Sequence, residues 1–295
     1  MDISDKKALS LDHVLVTIHD YAKTYQQYQQ LGFAPTQISY HPWGTATSLL
    51  VLQSMYIELI GVDDARKFGT NEVNGFCFGR RIGEFLAKGE DGISMISLHS
   101  KNTPKDYVSF SEHHESQGIV DFSRTIKMAD GTLDKVVVTI GLCLDSQYPE
   151  ASSFLCHQHR PDLIWVDEWA QHPNGAQNIA KVTYVTEQPE ILATRWRKDY
   201  VDAVQILNGV VSVDTGDGVL VAMNHDQLAH AYGDIDLPIS NNQTPHVEVL
   251  TITVTALQNA ANLLEANGVT FAQDSQRILI SPQWTGNIII ELVEA

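Results

Sequence analysis

The sequence predicts an α+β fold in which a βαβββ unit recurs and its copies pair into two strongly curved mixed sheets. Three observations carry this. The stretch LDHVLVTIHDYAKTYQQYQQLGF, residues 11–33, changes from strand to helical spacing and stops at a glycine. The same order of elements returns at a period of about seventy residues, too long for a solenoid repeat but suited to a duplicated module. YIELIG at 56–61 and IIIELVE at 288–294 each set a glutamate after apolar residues in a closing strand.

In the first unit Val14, Val16 and Ile18 give a β-branched strand with His13 at its mouth. Asp20 suits an N-cap, Tyr21, Tyr25, Tyr28 and Leu31 recur three or four apart, and Gly32 closes the helix. A strand over 34–41, the turn HPWGT at 41–45 and strands over 46–52 and 55–60 follow. Glu58 sits inside the last of these, and an acid in an apolar strand needs a partner, a proton or a cation. The second unit reads as strand 92–99, helix 104–117 stopped by Gly118, and strands 121–128, 135–144 and 153–159. The third runs through strand 179–186, helix 190–200 and short strands 204–207, 210–214 and 218–223. The fourth has strand 247–254, helix 257–266 with Gly268 at its stop, and strands 277–281 and 287–293. The segment 161–177, with Pro161, Pro173, Asn174 and Gly175, is the linker candidate. It divides the chain into domains 1–175 and 176–295, each of two modules around a cleft.

A formal net charge of −17 over 295 residues, without an acidic block, argues against nucleic acid and anionic membrane as partners. A small molecule is the expected partner, and an anionic one is not excluded, because a local pocket can oppose the global field. Cys77, Cys143 and Cys156 show no CxxC spacing, and no leader precedes the first strand, so reduced thiols and a cytoplasmic location are expected. Cys156, in the apolar run FLCHQH, reads as a packed small hydrophobe.

The ordered set LDHV (11–14), LGF (31–33), HPWGT (41–45), YIEL (56–59), FLCHQH (154–159), PDLIW (161–165), HPNGA (172–176) and TGNIIIELVE (285–294) resembles the vicinal oxygen chelate superfamily, in particular its glyoxalase-like domain proteins. The resemblance spans nearly the whole chain. It implies a divalent metal held by the first and last strands of paired modules. Carried over by position, the ligands are His13, Glu58 and His157, while Ile93 stands where a further first-strand ligand belongs. Iron, manganese, zinc and nickel all suit such a set. The implied chemistry is that of a lyase, isomerase or dioxygenase, in which two adjacent substrate oxygens chelate the ion and His41 or His159 moves a proton. A homodimer is also implied.

Other roles stay open for the same residues. His13 could bond a neighbouring backbone, Glu58 could pair with Arg80 or Arg81, and His41 could shape the turn before Trp43 and Gly44. A one-residue slip in the strand would put Gln158 or His159 in the place of His157. Trp43, Trp165 and Trp169 suit core or cleft wall. The carboxyl-terminal half offers Glu291, with Lys181, His246 and Glu248 near first-strand positions, and reads as a degenerate copy. A metal-free protein that binds or sequesters a small molecule is the alternative function, and Ile93 favours it.

Overall fold

The computed structural model describes residues 6–128, 130–240 and 244–295. The first module comprises β1 (Leu11–Thr17), α1 (Tyr21–Gln30), β2 (Ser39–Tyr40), β3 (Thr45–Val51) and β4 (Tyr56–Val62). After α2 (Phe78–Leu86) come β5 (Gly92–His99), α3 (Thr103–Ser111), β6 (Glu115–Lys127), β7 (Leu133–Leu144) and β8 (Ser153–Gln158). The third module holds β9 (Ala176–Val185), α4 (Glu190–Tyr200), β10 (Val204–Leu207), β11 (Val210–Asp214) and β12 (Val219–Met223). Helix α5 (His225–Tyr232) precedes β13 (His246–Val254), α6 (Leu257–Ala266), β14 (Phe271–Gln273), β15 (Arg277–Ile280) and β16 (Ile289–Glu294).

In every module the first and last strands pair in parallel, which requires the intervening crossover helix. First strands of neighbouring modules pair antiparallel, β1 with β5 and β13 with β9. The strands therefore run β2-β3-β4-β1-β5-β8-β7-β6 in one half and β10-β11-β12-β9-β13-β16-β15-β14 in the other. The two runs meet at a single residue pair, Val247 with Ile93, so Ile93 is a core residue at the seam.

Three apolar cores follow from this curvature. The largest lies on the helix-covered faces and draws Tyr28, Phe110, Trp196 and Leu264 from α1, α3, α4 and α6 against strands of both halves. A second lines the concave face of the first half, with Leu15, Trp43, Phe78, Val138 and Phe154. The third fills the concave face of the second half, where Leu228 and Tyr232 of α5 pack on Val185, Val249, Leu279 and Ile289.

The elements differ from the sequence reading at several places, among them β14, a strand the sequence reading lacks. The strand expected over 34–41 shrinks to Ser39–Tyr40, since Pro35 offers no donor and Thr36 is tied to Leu49 partly through its hydroxyl. The helix expected over 104–117 ends at Ser111. Gly118 instead sits at an irregularity within β6 at φ +112°, its N–H donating to the Tyr107 hydroxyl at 2.7 Å. Helix α2 was hidden by Gly79 and Gly83, poor helix residues that are needed here because a Cβ on Gly79 would lie 2.2 Å from the Trp43 carbonyl oxygen. Helix α5 opens with a reciprocal capping box between Asn224 and Gln227.

The segment 161–175 is pinned to the first module. His172 is buried, its Nδ1 accepting from the Ala34 N–H at 3.0 Å and its Nε2–H donating to the Val51 carbonyl at 2.8 Å. Burial lowers its pKa. Below pH ~6.5 the unfolded chain therefore gains a proton here that the folded chain refuses, and stability falls toward acid. Replacing His172 by Gln is expected to flatten the decline in urea midpoint between about pH 7.5 and about pH 5.5; equal slopes in the two proteins would refute this.

Candidate functional site

The concave face of the first half encloses a narrow cavity of about 40 Å³. Its chemistry begins with a bulge in β1. Leu11 pairs with Leu98 and His13 with Ser97, so Asp12 is an extra residue in the ladder. Such a bulge re-aims side chains, and here two consecutive residues meet: Asp12 Oδ1 lies 2.6 Å from His13 Nδ1. Asp12 Oδ2 is 3.1 Å from His99 Nδ1. Asp12 has no exposed surface. Burial opposes its charge, but the bonds from His13 and His99 outweigh it and hold the carboxyl far below its usual range.

An ionised carboxylate only accepts, so His13 donates from Nδ1 and turns Nε2 into the cavity. That atom lies 3.4 Å from the Tyr56 hydroxyl and 3.7 Å from Glu58 Oε2, with the His13 and Tyr56 rings stacked at 4.1 Å. Glu58, on β4 opposite Leu15 and Leu49, is buried and accepts from Thr47 Oγ1 at 2.6 Å. Its other neighbour is His41 Nε2, 3.7 Å from Oε1. The turn 41–44 places that imidazole: Gly44 N–H donates to the His41 carbonyl, and Gly44 takes φ +83° because a Cβ there would sit 2.1 Å from the Asp64 carbonyl oxygen. His41 stacks on Trp43 and bonds Thr45 Oγ1 at 2.9 Å. Burial, with Arg124 and His13 nearby, pushes its pKa well below the ordinary value, so it is neutral at neutral pH.

His13, Glu58 and His41 are thus brought together, and His157 and His159 are not. Phe154, Cys156 and Gln158 of β8 line the cavity. His157 and His159 alternate with them on the other face, ring against ring at 4.1 Å, and His159 Nε2 bonds the Thr139 hydroxyl at 2.7 Å. The ligand place assigned to His157 goes to Gln158, whose amide donates to the Tyr56 hydroxyl at 3.2 Å. Nor does Glu58 pair with Arg80 or Arg81, which face Glu72 and Glu150. The arginine that shares its cavity is Arg124, buried on β6. Trp43 lines the cavity, as the cleft-wall reading has it, and Trp165 packs edge-on against Tyr56.

Two arrangements could hold a cation. Asp12, His13 and Cys156 bring three ligating atoms within 4.8 Å of one another. There, however, both Asp12 oxygens already accept from histidines, and burial raises the Cys156 thiol pKa well above its ordinary value. The other is the face of His13 Nε2, Glu58 and His41 Nε2. Each imidazole nitrogen there lies 3.7 Å from a different oxygen of Glu58, and the three side chains do not bring one ligating atom each within 4.8 Å of one another, so they would have to close inward on an ion. Two polar atoms of the lining, Trp43 Nε1 and Gln158 Oε1, are buried without a hydrogen-bond partner, as a cavity built for a polar ligand would leave them.

The second half carries the equivalent acid, held by side-chain partners. Glu291 is neutralised by Arg277 at 3.1 Å and accepts from Thr251 at 2.7 Å and Tyr232 at 3.4 Å, while Glu248 is paired with His246 at 2.7 Å.

The family model of the glyoxalase-like domain matches residues 11–200, well over half of the chain. The chain belongs to that family. Solved structures place this glyoxalase-like chain in the vicinal oxygen chelate fold. A hypothetical protein from Staphylococcus aureus superposes with a TM-score of 0.68 at 14% identity, over 97% of this chain and 99% of that one. A mutant of 4-hydroxymandelate synthase from Streptomyces coelicolor gives 0.56 at 9% identity, over 98% and 93%. A fusion of a xylose isomerase-like TIM barrel with 4-hydroxyphenylpyruvate dioxygenase gives 0.57 at 11% identity, over 98% of this chain and 49% of that one. No curated protein sequence matches the chain. No helix among the described residues is long and apolar enough to cross a membrane.

Sequence reasoning missed Asp12, Tyr56 and Arg124, and named Gln158 only as the outcome of a one-residue slip. A signal existed for Arg124, a lone cation in the inward row Val120, Phe122, Arg124 and Ile126. For Asp12 there was none, since the bulge that turns it inward comes from pairing with β5. Removing the Asp12 carboxylate should be costly: Asp12→Ala is expected to lose about 2–4 kcal/mol, by urea unfolding, because both imidazoles lose their buried acceptor. A loss below about 0.5 kcal/mol, the surface norm, would contradict the bridging role.

Proposed function

We propose that this glyoxalase-like protein is a divalent-metal-dependent enzyme of the vicinal oxygen chelate type, acting on a small oxygen-rich molecule in the first-half cavity. One observation carries the reading: a buried carboxylate, Glu58, presents one oxygen to each of two imidazole nitrogens at 3.7 Å, and Asp12 fixes one of those imidazoles with its Nε2 inward. His13 Nε2, Glu58 and His41 Nε2 are the proposed ligands, a two-histidine, one-carboxylate set that leaves positions for substrate. A divalent cation there would polarise two adjacent substrate oxygens and stabilise the negative charge that develops on them.

The chain's own residues supply the rest. Asp12 holds the His13 ring and its tautomer, the usual task of a carboxylate behind a ligating histidine. Trp43, Phe78, Phe122 and Phe154 exclude water, which strengthens each electrostatic contact inside. Gln158 and Tyr56 offer an amide and a hydroxyl to substrate oxygens. His41, neutral in the folded chain, keeps the ability to take a proton should it stay off the metal. The aromatic wall and the single buried arginine support a second reading, metal-free binding of a small molecule, and the same experiment separates the two.

Protein purified without a chelating tag and loaded with manganese, iron(II), zinc or nickel is expected to retain about one ion per chain by elemental analysis. Combined His13→Ala and Glu58→Gln should abolish retention, Asp12→Asn should weaken it by ~10–100-fold, and Cys156→Ser should leave it unchanged. No retention by the unaltered protein, or full retention by the double variant, would favour the binding-protein reading. Loss in Cys156→Ser would move the ion to the Asp12, His13 and Cys156 cluster.

A further inference from the structure

Arg124 is the one charged group of the cavity that the proposed metal set does not use. It lies on β6, is 8% exposed, and is surrounded along its strand face by Phe122 and Ile126. Among the described residues its guanidinium makes one hydrogen bond, from Nη1 to Ser39 Oγ at 2.6 Å, and no carboxylate reaches it at ion-pair distance. A guanidinium carries five N–H donors in a planar fork. Here one is spent on a hydroxyl that aims the group, and the others are left toward a cavity with buried, unpartnered polar atoms. A buried cation without a counter-charge is unfavourable. Glu58 tempers it across the cavity, but when Glu58 serves a divalent ion the buried pocket holds excess positive charge, even with Asp12 counted.

We propose that the ligand of this cavity is a small monocarboxylate, its carboxylate clamped by the Arg124 guanidinium and its apolar end against the aromatic wall. The proposal deepens the reading of the cavity as the substrate site and rests on it. The planar fork matches a carboxylate in two parallel hydrogen bonds. A single arginine, with Glu58 in the same cavity, suits one negative charge better than the two of a phosphate ester. The narrowness of the cavity limits the ligand to a few non-hydrogen atoms beyond the carboxylate.

The test compares acetate, butyrate and hexanoate with the matching amides, by tryptophan fluorescence and thermal shift, on metal-loaded and chelator-treated protein. The unaltered protein is expected to bind butyrate at least tenfold more tightly than butyramide in both states. Arg124→Met should abolish that preference while metal content stays normal, and Arg124→Lys, which keeps charge but loses the fork, should keep only part of it. The acid and amide comparison on the unaltered protein needs no variant and stands even if Arg124→Met fails to fold. Equal binding of acid and amide, a preference that survives in Arg124→Met, or a preference lost in His13→Ala with Arg124 intact would each overturn the proposal, the last by placing the carboxylate on the metal. Failure of metal retention with the acid preference intact would sink the metal reading and leave this one standing.

Discussion

The site depends on a buried carboxylate that water cannot reach. Asp12 enters the interior because β1 carries one residue more than β5 opposite it, so the strand must turn two adjacent side chains to the same side. Once inside, the charge has to be met by donors, and His13 and His99 are those donors. That requirement puts a proton on Nδ1 of His13 and leaves Nε2 to face Glu58. A ladder irregularity is thereby converted into the orientation of a functional imidazole.

Glu58 and Glu291 stand at the same place in the closing strands β4 and β16, and their surroundings set them apart. Glu58 has one hydroxyl donor and an open neighbour space. Glu291 has Thr251, Tyr232 and Arg277, three partners that satisfy it completely enough to make it structural. The difference traces to α5, whose Leu228 and Tyr232 occupy the second hollow. A bulge with an acidic extra residue persists in both halves: Val247 pairs with Tyr184 and Val249 with Thr183, leaving Glu248 over, and His246 partners it.

Much of the fold was legible because it is written in local patterns. The Asp20 cap and the three-and-four spacing to Leu31 gave α1, and the glutamate echo between β4 and β16 exposed the repeat. His13 and Glu58 could be named together through the resemblance, which sets ligands on the first and last strands of paired modules. What failed was parity. His157, Gln158 and His159 are consecutive or alternate, and only pairing with β5 and β7 decides that Gln158 looks inward. Arg124 and Asp12 became meaningful only when strands distant in sequence were set beside them. Gly79 shows the converse, a residue that argues against a helix until the Trp43 carbonyl is packed against it.

Helix α5 has a consequence for engineering. It is an eight-residue helix with its own capping box that packs on the sheet through Leu228 and Tyr232 and accepts from Arg277 at the Ala231 carbonyl. Trimming its apolar side chains would vacate a chamber bounded by Val185, Val249, Leu279 and Ile289, beside a ready-made arginine and glutamate. The chain thus carries a dormant receptacle that could be given a new guest by design, leaving the native one untouched.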